Sequence, residues 1–90
     1  MDQYIRKKNY ETTSFDGEWI VLNTDNYTIT RLNETGGFCW SLLGEAQSVQ
    51  SLSKAVARKF ALIELKDVEE DIVAFLENLI ECGLVDYASV

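Results

Sequence analysis

The side chains in this sequence that could do chemistry are few, and their spacing points to packing and charge rather than to bond making. Histidine is absent. That removes the usual general base near neutral pH, the neutral metal ligand and the partner that activates a serine or cysteine nucleophile. Cys39 and Cys82 are the only thiols. They are too few and too far apart for a zinc knuckle, and with no secretory signal ahead of them both are expected to be reduced, buried thiols. No catalytic carboxylate pair and no glycine-rich phosphate loop is recognisable. The expectation is therefore no catalytic residue, no metal, no cofactor and no enzymatic activity of the chain alone.

Charge narrows the partners. A net charge of −7 and a pI near 4.4 give a field that repels the phosphates on which nucleic-acid affinity depends, so a basic or amphipathic peptide is the easier ligand. Lys54, Arg58 and Lys59 would be the DNA-facing cations of a winged-helix reader, but three charges against that background are a weak footprint. The acidic run Glu69, Glu70, Asp71 suits the start of a helix, where carboxylates complement the dipole; Glu69 alone falls near an apolar flank. Trp19 and Trp40 are expected as core anchors. No apolar run approaches the roughly 20 residues that span a bilayer, so the chain is expected to be soluble and cytoplasmic, with no membrane partner.

These residues need a scaffold, and 90 residues with 47% apolar content suffice for one domain spanning 1–90 with a single core. Strand-forming residues fall into three pieces, about 10–15, 18–23 and 27–32, divided by a hairpin signal at Asp16-Gly17 and a longer polar turn over Asn23–Asn26. After Leu32 the period becomes helical. Asn33 is a candidate N-cap for a helix through Leu43 that stops at Gly44. Ser48 caps a second helix carrying Val49, Leu52, Val56 and Phe60, and a third runs from near Asp67 to a C-cap at Gly83. The predicted fold class is α+β, winged helix-turn-helix-like, with a three-stranded antiparallel sheet followed by three helices on one side.

Two features suggest a ligand groove. The third helix has a core arc of Val68, Ile72, Phe75 and Leu79, and Val73, Leu76 and Ile80 widen it to one side. Either the helix is wrapped on two sides, or that flank faces a partner. Thr28, Ile29, Thr30 and Arg31 lie in a segment of high β propensity that would serve as a sheet edge, to which a guest strand could add with side-chain pockets supplying specificity. Arg31 is either solvated or paired with an acidic ligand side chain.

The segments Glu18–Asn23, Leu32–Leu43 (LNETGGFCWSLL) and Val73–Val85 (VAFLENLIECGLV) resemble the PqqD family, the leader-recognition domains of ribosomally made, post-translationally modified peptides. The resemblance runs from Glu18 to Val85, about three quarters of the chain; Cys39 departs from it where an aliphatic residue is usual. It implies a clamp without activity that captures a leader peptide as an added strand beside the third helix. Carried over by position, the leader would run along Thr28, Ile29, Thr30 and Arg31 and reach Glu69, Ile72, Val73 and Leu76, with its apolar anchors on Ile72 and Leu76. Short length and a basic N-terminal stretch look most like the stand-alone proteins of lasso-peptide pathways, which work with a leader peptidase and a macrocyclase. PqqD proper, serving a radical-SAM enzyme, is the alternative.

Overall fold

A computed structural model describes residues 2–8, 10–61 and 65–88. In chain order the elements are β1 (Gln3–Arg6), β2 (Glu11–Phe15), β3 (Glu18–Asn23), β4 (Thr28–Leu32), α1 (Glu34–Leu42), β5 (Gln47–Ser48), α2 (Val49–Phe60), α3 (Leu65–Glu81) and β6 (Val85–Ala88). The α+β class, the antiparallel meander and the three helices agree with the sequence reading.

Local chemistry sets the joints. Asp16 and Gly17 both take positive φ, 56° and 80°, the pair of conformations a two-residue type I′ hairpin requires, and so β2 pairs tightly with β3. The second turn ends at Tyr27, itself at φ 56° and outside the strand it was expected to begin. Asn26 Oδ1 accepts from the backbone N–H (3.2 Å) and the hydroxyl (2.6 Å) of Thr28, fixing the entry to β4. Asn33 caps α1, its Oδ1 accepting from Gly36 N–H at 2.7 Å. Ser48 and Ser51 form a reciprocal capping box at α2. α3 starts at Leu65 rather than Asp67, and it ends in a Schellman turn: Gly83 sits at φ 76°, Gly83 N–H donates to Ile80 O, and Leu84 N–H donates to Leu79 O.

A second sheet, of order β5-β1-β6, was not anticipated. β1 is its centre, antiparallel to β6 from Gln3↔Ala88 to Arg6↔Val85 and to β5 at Gln3↔Ser48. Four-residue strands of mixed polarity carry little periodic signal, and their partners lie far away in sequence.

The core joins these parts. α1 lies on β3 and β4, while α2 packs against α1 and α3. Val21, Trp40, Leu43, Leu52, Val56, Leu76, Leu79, Leu84 and Val85 are all at most 2% exposed, and burying each such side chain contributes roughly 1.5–3 kcal/mol. Trp40 is a core anchor as expected; its indole N–H donates to Thr12 Oγ1 at 3.1 Å. Trp19 is half-buried against α1. Among the described residues no helix is long and apolar enough to cross a membrane.

The contact between Trp19 and α1 depends on Gly37, because a methyl group there would overlap the indole ring. Helix propensity alone favours Gly37→Ala by about 0.5–1 kcal/mol. Overlap with a packed ring is worth about 1–3 kcal/mol in the opposite direction, so Gly37→Ala is expected to lower the urea midpoint.

Candidate functional site

β4 ends the meander, whose order is β2-β3-β4. Its pairing with β3 is unbroken from Asn23↔Thr28 to Trp19↔Leu32, and among the described residues no strand pairs with its other edge. That edge therefore presents main-chain donors and acceptors to solvent. Strand alternation sends Leu32 and Thr30 toward the helices, buried and half-buried respectively, and leaves Ile29 and Arg31 on the outer face. Arg31 Nη1 stands 3.9 Å from Glu18 Oε1, both side chains well exposed, a pairing that adds little stability.

Beside the edge runs a trough. Its first part, about 190 Å³, lies between β4 and α3 and is lined by Thr30, Leu32, Phe75, Asn78, Leu79 and Cys82 among others. Asn33, Gly36 and Phe75 also line a second hollow of about 300 Å³ among α1, α2 and α3, with Val56, Val68, Asp71 and Ile72. The two hollows thus meet at Phe75. Apolar residues make up the larger part of this lining, with Thr30, Arg31, Asn33, Thr35, Asp71 and Asn78 as polar points. Spacing along α3 explains the wall: 68, 71, 72, 75, 78, 79 and 82 recur at three and four residues and share one face.

The residues singled out from sequence divide into groups. Thr28, Ile29, Thr30 and Arg31 are all on the open strand. Ile72 lines the trough but is only 3% exposed, and Leu76 is fully buried in the core. Glu69 and Val73 border a different depression, with Val49, Gln50, Lys66 and Glu70, where α3 meets the start of α2. Glu69, Val73 and Leu76 are thus not among the residues lining the two hollows beside β4. The arc read as core, Val68–Leu79, supplies the trough wall, and the flank read as groove turns away from it. Phe75, Asn78, Leu79 and Cys82 were missed as lining, although the i, i+3, i+4 stripe through Ile72 contains them. A helical wheel gives the width of an apolar arc but not the side on which the sheet ends.

The thiols also separate. Cys39 is buried, but Cys82 is exposed, which corrects the expectation that both are buried. Burial pushes the Cys39 thiol up to about 11 from 9.0, leaving it protonated and a poor nucleophile at neutral pH. The site offers a strand edge, apolar hollows and amide groups, an arrangement suited to holding an extended chain.

Edge strand, trough and α3 all fall within residues 18–85, the span that matches the family described as coenzyme PQQ synthesis protein D (PqqD). The chain belongs to the PqqD family. A search of curated proteins found no match. Among solved structures, TbiB1 in complex with the TbiA(beta) leader peptide aligns with a TM-score of 0.79 at 24% identity, covering 94% of this chain and 99% of that one. At that identity the likeness speaks for the shared fold.

The two thiols should react very differently with a disulfide reagent. One, Cys82, is expected to react promptly in the native protein, and the second only after denaturant is added. Because folding raises the Cys39 pKa, its contribution to stability is intact below pH 9.0 and declines toward about 11. Denaturation midpoints across that interval should fall less in Cys39→Val.

Proposed function

We propose that the whole chain acts as one leader-recognition domain, binding the leader of a ribosomally synthesised precursor peptide by strand addition to β4 and presenting it to processing enzymes. The observation that carries this reading is the open β4 edge lying directly beside the apolar trough. Membership of the PqqD family supports it, and so does the likeness to TbiB1, which was solved with a leader peptide. Main-chain hydrogen bonds along Thr28, Ile29, Thr30 and Arg31 would give affinity, and side chains entering the trough would give selection. Ile72 joins Phe75, Asn78 and Leu79 as the α3 contribution.

Ordering a disordered leader costs about 2–5 kcal/mol, more than a short ladder supplies, so apolar anchors must enter the trough near Phe75. The domain works as a scaffold without catalysis: holding the leader raises the local concentration of the rest of the precursor at an enzyme docked elsewhere. We read the meander and three helices as a winged-helix variant in which the sheet edge, not a helix, takes the ligand. The setting we favour is cytoplasmic lasso-peptide biosynthesis, with a leader peptidase and a macrocyclase as partners; a chaperone for a radical-SAM peptide-modifying enzyme is the alternative.

Titrating a fluorescent leader, encoded beside this gene, into the protein tests the reading, with core peptide and random duplex DNA as controls. Saturable binding of the leader alone is expected; binding of core or duplex equally well would refute it. Phe75→Ala should weaken leader binding by about tenfold, roughly 1.4 kcal/mol, with the circular dichroism spectrum unchanged. Leu76→Asp should instead unfold the domain, because it places an unpaired charge in the core.

A further inference from the structure

A separate hollow lies across α1 from the trough. Along α1, Gly36 and Cys39 face the trough, whereas Glu34, Phe38 and Ser41 recur at helical spacing on the other side. There the tip of the β2–β3 hairpin and the end of α2 enclose about 270 Å³, walled by Phe15, Trp19, Phe38 and Phe60. Phe38 and Phe60 meet edge to face at 5.9 Å, and Gly37 holds the Trp19 ring against α1. Phe15 stands on the rim, 81% exposed. Four aromatic side chains around one opening, one of them nearly uncovered, stand among Ser14, Asp16, Glu34, Ser41 and Lys59, aromatic faces within a polar rim as at a protein interface.

The charges nearby select the occupant. Asp16 and Glu34 line the opening against one cation, Lys59, in a chain of net charge −7. The Lys59 ammonium already lies 5.7 Å from the centre of the Phe38 ring, so one of these rings meets a cation within the protein itself. Resting on the presenting role proposed above, we propose that this pocket docks the enzyme that receives the bound peptide, through a segment with one large apolar side chain flanked by arginine or lysine. The apolar side chain fills the space between Trp19 and Phe60, and the flanking cations face Asp16 and Glu34. Because α1 separates the pocket from the trough, leader and enzyme occupy the domain together.

The test uses ¹⁵N-labelled protein, free and leader-saturated, titrated with a capped Gly-Arg-Trp-Arg-Gly peptide and with its Gly-Glu-Trp-Glu-Gly counterpart. The arginine peptide should give saturable shifts at the Phe15, Glu34 and Phe38 amides and the Trp19 indole in both states, and the glutamate peptide none. Asp16→Asn with Glu34→Gln keeps the left-handed turn and should weaken binding about threefold or more, in line with two exposed ion pairs. Absence of shifts, equal shifts for both peptides, or loss of the shifts once leader is bound would overturn the proposal. Leader binding is followed separately at Thr30 and Phe75, so failure of the presenting role is seen apart from failure of the pocket.

Discussion

α3 must be buried on one side and stand clear of β4 on the other, and the rest of the site depends on that constraint. Leu76, fully buried in the core, holds the middle of the helix. The far end is held by the Schellman turn and by a strap from the N-terminal segment, in which Lys7 N–H donates to Leu84 O and Tyr10 Oη donates to Gly83 O. With both points fixed, Phe75 and Asn78 overlook a space that neither β4 nor α1 closes. A helix free to settle onto the sheet would fill the trough with its own side chains.

Much of this was legible because it is written in local chemistry. Asp16-Gly17, the Asn33 cap, the Ser48 cap and Gly83 each act within four residues of themselves, and each joint is found where its residues predicted it. The edge strand was legible as well, from the β propensity of Thr28–Leu32. What failed to show was long-range. β1 and β6 find each other across the whole chain, and Tyr27 leaves the strand for a left-handed turn despite its propensity.

The helix residues of the site show the same division more sharply. Periodicity reported that α3 is apolar around much of its circumference, which is true because it meets α2, β6 and the trough. Assigning each arc to a neighbour needs the handedness with which chain and sheet are joined, and that is a property of the assembled fold. Val73, read as the groove flank, and Phe75, read as core, therefore open onto different depressions.

The pairing of Gln3 with Ala88 has a consequence for how the molecule is made. Closing a loop over nearly the full chain carries the largest entropic penalty of any contact here, whereas the β2–β3–β4 meander closes through short turns. On a ribosome the meander and α1 have their partners as soon as they emerge, whereas β1 can meet β5 at mid-chain but completes its sheet only when β6 follows. The open β4 edge is thus assembled first, and the clasp that sets the opposite wall of the trough is fastened last. An unfinished chain would carry an open strand edge with no wall yet standing beside it.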